Sequence, residues 1–155
     1  MSRLFLALGV GAYLASGATA ALYAQNATYE DSALRLEGHL GDTRIVRGVQ
    51  GTVLGRIGVF HGIDVTKVVS PSENATMEAM RFAHDYGPGT LVVALGIATL
   101  GAAVGVSQIH DVNRGITTGL TIASTGLIIY GGTRLESAYN ALSRSIWWYN
   151  RDLKK

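Results

Sequence analysis

The amino-acid sequence predicts a mainly α membrane protein: a transmembrane helical hairpin that continues into an amphipathic C-terminal helix, with a small strand-rich segment outside the membrane. Two glycine-punctuated stretches, Thr90 to Ile109 and Ile116 to Gly132, contain no charged residue. Each is near the roughly 17–25 residues that a helix needs to cross the hydrocarbon core. A short polar turn, His110 to Arg114, joins them. Charged residues make up only 15% of the chain, well below the roughly 25% of soluble domains.

The first 24 residues have the pattern of a targeting segment. Arg3 precedes a long apolar stretch, and small residues around Ala20 would suit signal peptidase. We therefore expect residues 1–24 to be a signal peptide that sends residues 25–88 across the membrane. An uncleaved N-terminal membrane anchor is the alternative, because the apolar stretch is also about long enough to span.

The middle of the chain, residues 25–88, is expected to form a small exported α+β segment. Valine, isoleucine, threonine and glycine dominate from Arg44 to Val69, which favours short strands. The glycines there also fall at spacings of three and four, as on one helical face, but each would cost a helix roughly 1 kcal/mol. A glycine-faced helix remains the alternative. Ser70 is a plausible N-cap for a short helix from Pro71 to Tyr86, and Gly87-Pro88-Gly89 should end it.

The membrane hairpin is assigned to residues 89–133, and small residues recur along both of its helices. Small residues at intervals of four let helix backbones approach closely, either within one chain or between copies. The predicted helix-packing residues are Gly96, Gly101, Gly105, Gly115, Gly119 and Gly126.

A hydroxyl stripe along the second apolar stretch comprises Thr117, Thr121, Ser124 and Thr125. It would line a polar path or bond back to the helix's own carbonyls. Neither stretch contains Asp, Glu, Lys, Arg or His, which argues against a pump or coupled transporter.

The C-terminal segment, residues 134–155, is expected to be an amphipathic interfacial helix. Apolar residues recur at spacings of three and four, and aromatic rings stand beside arginines, as they do at membrane surfaces. The seam would face lipid, or it would pack on this protein's middle segment or on a partner's helix. The predicted contact residues are Leu135, Tyr139, Leu142, Arg144, Ile146, Trp147, Trp148, Tyr149 and Arg151.

Charge points to lipid rather than to nucleic acid. The formal net charge is +2, and basic residues concentrate after Thr133, where they alternate with the apolar seam. Such a tail meets anionic lipid headgroups more readily than nucleic acid. A hairpin would return this tail to the exported side, against the positive-inside rule, and we expect the first segment to set the orientation.

The sequence carries no recognisable catalytic or metal-binding motif. The four histidines lack the spacing of a helical zinc pair, and neither a nucleophile elbow nor a phosphate-binding loop is present. The chain has no cysteine, which excludes disulfides and thiolate metal sites. We therefore expect no enzyme activity, no cofactor and no metal.

The order of these features resembles a loosely defined set of uncharacterised bacterial envelope proteins, in which the terminal helix ends in a tyrosine–asparagine pair, here Tyr149-Asn150. The resemblance implies a bacterial envelope location, in the inner membrane with an exported segment, and implies no activity. The leading hypothesis is a membrane scaffold or accessory subunit of a larger complex, whose partners are membrane lipids and other membrane proteins or copies of itself. A small oligomeric channel is the alternative.

Overall fold

A computed structural model describes residues 29–39, 42–58, 62–108 and 114–154. The elements are β1 (Leu34–His39), β2 (Asp42–Arg47), β3 (Thr52–Gly58), α1 (Val65–Val68), α2 (Glu73–Ser107) and α3 (Arg114–Asp152). The mainly helical architecture with a small sheet is therefore confirmed. The predicted targeting segment and most of the predicted polar turn lie outside the described residues.

The three strands form one antiparallel sheet in the order β1-β2-β3. The turn between β2 and β3 contains Gly48 and Gly51, both with positive φ, at 67° and 69°. L-amino acids rarely adopt that conformation, and glycine adopts it freely. The strand interpretation is thus confirmed for this segment, and the glycine-faced helix is wrong.

Two details of the middle segment differ from expectation. The sheet begins earlier than Arg44, at Leu34. Residues 65–68 are helical rather than extended, because the Asp64 side chain accepts a hydrogen bond from the backbone N–H of Thr66 and so caps a helical turn.

The N-cap of α2 is Ser72 rather than Ser70. Its hydroxyl oxygen accepts from the backbone N–H of Ala75 at 3.3 Å, and its O–H donates to Asp152 Oδ2 at 2.6 Å. Ser72 is buried against α3, whereas Ser70 lies in an exposed turn. This contact across 80 residues, which a local pattern does not contain, sets the start of the helix.

The predicted helix end at Gly87-Pro88-Gly89 is wrong, because α2 runs through all three residues. Pro88 has no N–H and leaves the carbonyl of His84 without its helical donor. Both residues are exposed, so water can reach that carbonyl. At Gly89, one position further on, a Cβ would lie 3.1 Å from Cβ of Arg134, so α2 and α3 approach closely just after the proline.

The two long helices are antiparallel and define two regions. Near one end the Ser145 hydroxyl donates to the carbonyl of Ala75, and towards the other Gly96 packs against Ile128. We call residues 90–108 and 114–132 the tip, and the rest of the described chain the base. The hydrophobic core lies in the base, where the sheet and α1 cover α2 and α3. Its buried members are Leu34, Ile45, Ile57, Val65, Val69, Ala75, Ala79, Phe82, Ala138, Ala141, Leu142, Ile146 and Tyr149.

Candidate functional site

The tip carries an exposed apolar surface. Its large, well-exposed side chains are Leu91, Leu95, Ile97, Leu100, Val104, Ile116, Ile122, Ile129 and Tyr130. Exposed apolar areas of this extent mark contact with a membrane or with another protein. Among the described residues, α2 is the one helix long and apolar enough to cross a membrane, judged by length and composition. In α3, threonines and glycines separate the apolar residues and make the helix more polar.

Glycines on the inner faces bring the two helices into close contact. A Cβ on Gly96 would lie 3.0 Å from the backbone nitrogen of Ile128, so this predicted packing residue does face the neighbouring helix. Gly89 and Gly131, which were not predicted as packing residues, also lie on the inner faces. A Cβ on Gly131 would lie 2.8 Å from the backbone nitrogen of Val93 and 3.0 Å from the carbonyl oxygen of Gly89.

The missed positions share an interval of seven. Small residues stand at Gly89, Gly96 and Ala103 on α2, and at Ser124, Gly131, Ala138 and Ser145 on α3, and all seven are buried. An interval of seven keeps one face of a helix towards its partner, as in a coiled coil. That repeat, rather than the interval of four, is the signal that would have identified the inner face.

Four of the other predicted packing glycines do not join α2 to α3. At Gly101, Gly105, Gly119 and Gly126 a Cβ would meet nothing within 4 Å. As an account of packing within the described residues, the prediction is wrong for these four positions, and for Gly115 it stays a prediction. As contacts with other helices they remain a prediction.

Hydroxyl groups of the tip bond to their own helix. Thr121 donates to the carbonyl of Thr117 at 2.9 Å, and Ser124 and Thr125 both donate to the carbonyl of Thr121. These three O–H groups therefore donate their hydrogen bonds within α3 and are not available as donors to a polar path. The channel alternative stays a prediction.

The C-terminal residues continue α3 and are not a separate surface helix. Leu142, Ile146 and Tyr149 belong to the core of the base, and Leu135, Tyr139 and Trp148 are partly buried. Of the alternatives, packing on the protein's own middle segment is therefore the one observed, and it leaves the core members inaccessible to lipid or a partner. Trp147 stays exposed, and the Arg151 guanidinium lies over it at 5.3 Å and over Trp148 at 3.8 Å.

The terminal tyrosine–asparagine pair has a structural role. Asn150 Oδ1 accepts from the backbone N–H of Leu34, and Asn150 Nδ2 donates to its carbonyl, both at 2.7 Å. The side-chain amide thus pairs with the first residue of edge strand β1, much as a neighbouring strand would. Tyr149 packs in the core beside it.

A charged collar joins α2 to α3 below the tip. The buried Glu78 carboxylate accepts from Arg81 Nη1 at 2.9 Å and from Arg144 Nε at 3.0 Å. Two turns nearer the tip, Asp85 accepts from Arg134 at 2.9 Å. The collar therefore joins α2 to α3 at two levels of the base.

Asp85 has additional donors. His84 Nδ1 lies 3.0 Å from Oδ1, and the Ser137 hydroxyl donates to Oδ2 at 3.1 Å. The hydrogen bond from His84, then that from Ser137 and then Arg134, lower the pKa of the Asp85 carboxyl below its usual range. Asp85 is thus held as a carboxylate that accepts hydrogen bonds.

The described residues hold no group of three or more histidine or acidic side chains able to bind a metal ion. His84 is hydrogen-bonded to Asp85. The other three histidines are not described, either in their side chain, as for His39, or altogether, as for His61 and His110.

The fold and the collar define a helical-hairpin protein with a small sheet packed on its base. No protein family, curated protein or solved structure matches this chain.

Proposed function

We propose that this chain is a non-enzymatic membrane protein whose tip lies in the bilayer as a two-helix hairpin and whose base serves as a scaffold or accessory subunit of a larger membrane complex. The observation that carries the proposal is the contrast between the two regions. The base buries its apolar side chains under a sheet, whereas the tip exposes large apolar side chains on both helices. In water that exposure would be unfavourable, and lipid or other helices would remove it.

The dimensions of the tip fit a bilayer. Each tip helix has about 19 residues and is about 28 Å long at 1.5 Å per residue, close to the roughly 30 Å of the hydrocarbon core. The hydroxyl groups of α3 raise the cost of its transfer into the bilayer less than their number suggests. Those of Thr121, Ser124 and Thr125 donate to carbonyl groups of the same helix. A hydroxyl paired in this way costs less to transfer into hydrocarbon.

Assembly is supported by the outward-facing glycines. Gly101 and Gly105 lie one turn apart on α2 with open space beside them. Another helix could approach the backbone closely there, and van der Waals packing would then stabilise the contact in lipid. The targeting pattern of residues 1–24 supports export of the base. The resemblance to bacterial envelope proteins supports an inner-membrane location.

Membrane embedding is tested by flotation of the full chain with phosphatidylcholine vesicles, followed by extraction at alkaline pH. We expect the protein to float and to resist extraction. Release of the folded protein at alkaline pH would show that the tip does not enter the bilayer.

Assembly is tested with the double substitution G101L/G105L, with V104L as the matched control that also enlarges an exposed tip residue. No atom stands where the new side chains begin, so the monomer should fold normally. Native mass spectrometry after mild extraction should show a defined assembly for the wild type and V104L and its loss in the double variant. A wild type that is monomeric and without partners would refute the scaffold proposal.

A further inference from the structure

A groove with a volume of about 360 Å³ runs between α2 and α3 in the base. Its lining comes from these two helices, and among the described residues neither the sheet nor α1 contributes to it. A second cavity between the same helices, beside Tyr86 and Tyr139, is lined also by Gly58 of β3. The first groove therefore lies on the side of the helix pair that the sheet leaves open, and we call it the helix groove.

One face of α3 extends the helix groove towards the end of the base. Ser137, Ala141 and Arg144 line the groove, and Trp148 and Arg151 follow on the same face at intervals of four and three. The Arg151 guanidinium lies 3.8 Å from the centre of the Trp148 ring. From Ser137 to Arg151 this face is about 21 Å long, which is the length of a helix of about 15 residues.

Carboxylates lie deep in the helix groove, and guanidinium groups lie at its surface. Glu78 accepts from Arg81 Nη1 at 2.9 Å and from Arg144 Nε at 3.0 Å. The Glu78 side chain is 12% exposed, against 68% for Arg81 and 53% for Arg144. Asp152 is likewise less exposed than Arg151, from which it stands 3.9 Å away. A molecule that enters the groove therefore meets the arginines before it meets the acids.

The two arginines that share Glu78 have further donors. Each guanidinium has five N–H donors and gives one to Glu78. Within the described parts of the chain, neither side chain makes another hydrogen bond. Because Glu78 already holds both side chains, less rotamer entropy is lost when a further carboxylate binds them. The charge complement of this surface is therefore a carboxylate supplied from outside.

Apolar side chains stand beside these donors. Met80 lines the helix groove and is more than half exposed, and the small side chain of Ala141 is buried between the helices. Methionine, arginine and aromatic residues are enriched where proteins contact one another. A groove between two packed helices also accepts the side-chain ridge of a third helix. The surface therefore fits an amphipathic helix that carries acidic residues beside its apolar face.

A second copy of this chain does not supply such a helix from α2 or α3. Each of these helices has one fully exposed acid, Glu73 on α2 and Glu136 on α3. Their other acids are engaged, Glu78 and Asp85 by arginines and Asp152 by the Ser72 hydroxyl. Neither helix thus offers two free carboxylates on one face, and the complement belongs to another protein.

We infer that the helix groove binds an acidic amphipathic helix of a partner protein. Its carboxylates bind Arg81, Arg144 and Arg151, and its apolar residues pack on Met80 and Ala141. The inference rests on the proposed role as an accessory subunit. It locates the contact with the partner in the base and specifies the length and charge of the partner's segment.

The test uses the purified full chain in phosphatidylcholine nanodiscs and a synthetic amphipathic helix of about 15 residues that contains no tryptophan. The peptide carries leucines on one face and, beside them, glutamates at the seven-residue interval of Arg144 and Arg151. Two matched peptides replace the glutamates by glutamine or by lysine. The chain has two tryptophans, Trp147 and Trp148, and Arg151 stacks on both. Their fluorescence therefore reports binding at the groove itself.

Two variants alter the helix groove, and each has a control elsewhere in the base. M80E adds a negative charge to the lining, and V49E adds one at an exposed valine of the β2–β3 turn. R144Q removes one arginine and leaves Arg81 on Glu78. R35Q is its matched control, because Arg35 is also an exposed arginine paired with a glutamate, at 2.9 Å on the sheet.

We expect the acidic peptide to bind the wild type, V49E and R35Q equally and to change their tryptophan emission. Loss of one charge-assisted contact should weaken binding about tenfold in R144Q, in M80E and with the glutamine peptide, and the lysine peptide should not bind. Equal binding of the three peptides, or equal binding by M80E and V49E, would overturn the inference. A wild-type dimer that M80E dissociates would assign the groove to a second copy and would also overturn it.

The inference and the accessory role fail in different ways. Native mass spectrometry of the chain extracted from its own membrane provides the distinction. A wild type without partners would refute the accessory role. A stoichiometric assembly that is equally abundant for the wild type, M80E and R144Q, with no binding of the acidic peptide, would refute the helix groove alone.

Discussion

Replacing Gly131 by alanine should destabilise the hairpin, whereas the same substitution at the neighbouring Gly132 should stabilise it. A Cβ on Gly131 would lie 2.8 Å from the backbone nitrogen of Val93 and 3.0 Å from the carbonyl oxygen of Gly89. Around Gly132 a Cβ would meet nothing within 4 Å. The nearest atom at Gly131 is Val93 Cγ2 at 2.7 Å, and the next two are backbone, so rotation of the Val93 side chain alone cannot relieve the contact.

The expected magnitude follows from these distances. An ordinary contact is about 3.5 Å, so α2 and α3 would have to separate locally by roughly 0.5–0.7 Å. Overpacking of this kind costs about 1–3 kcal/mol. Alanine also gains roughly 1 kcal/mol of helix propensity over glycine at either position. That gain cancels between the two variants, so their unfolding free energies should differ by about 1–3 kcal/mol, with G131A the less stable.

The assay is thermal unfolding of the full chain in one mild detergent, followed by circular dichroism. For a chain of this size the two midpoints should lie roughly 2–12 °C apart, with the wild type between them or close to G131A. A G131A variant as stable as G132A would refute the close backbone approach of the two helices.

Three further predictions concern the base and the N-terminus. N150A removes both hydrogen bonds to Leu34 and should lower the unfolding free energy by about 1–3 kcal/mol, with faster amide exchange at the start of β1. Because the folded pKa of Asp85 is lowered, its carboxylate stabilises the fold above the unfolded pKa of about 3.9, and this contribution disappears as pH falls through the folded pKa. D85N should therefore flatten the acid limb of the stability profile. The intact mass of the membrane-extracted protein should lack residues 1–24.

Each of these has its own control. N140A changes an exposed asparagine of the same helix that makes no side-chain hydrogen bond within the described residues, and it should leave β1 exchange unchanged. An acid limb of the same slope in D85N and the wild type would contradict the role given to Asp85. Recovery of the full-length mass would contradict removal of the N-terminal segment.

Local periodicity was sufficient to predict most of the elements. The apolar stretches predicted the tip helices, the valine-rich segment predicted β2 and β3 but neither β1 nor α1, and the spacing from Leu135 to Tyr149 predicted an amphipathic helix. The error at Gly87-Pro88-Gly89 has a physical cause. Pro88 removes one helical hydrogen bond, but α2 continues through it and packs closely on α3 at Gly89, beside Arg134. Local propensity cannot include a contact with a residue so distant in the chain.

The collar could not be predicted for the same reason. Glu78 and Arg144 are 66 residues apart, and their pairing depends on the register of α2 against α3. The sequence did not predict that register. The interval of four assigned Gly101 and Gly105 to the helix contact, but both face away from α3. The interval of seven through Gly96 would have fixed the inner face. From that face, the antiparallel pairing and then the two ion pairs of the collar could have been derived.

The continuity of α3 bears on the N-terminal segment as well. The helix runs without a break from the tip to Asp152, and the ammonium group of Lys154, just beyond it, lies 4.6 Å from the centre of the Tyr29 ring. The first described residues therefore stand at the end of the base, about 30 Å along the helix from Gly132. The five steps from residue 24 to Tyr29, even fully extended, span only about 17 Å. With the tip embedded as proposed and α3 upright in the bilayer, an apolar anchor ending at residue 24 would not reach the same membrane. Under that proposal the hairpin and a retained anchor exclude each other, and removal of residues 1–24 is the expected outcome.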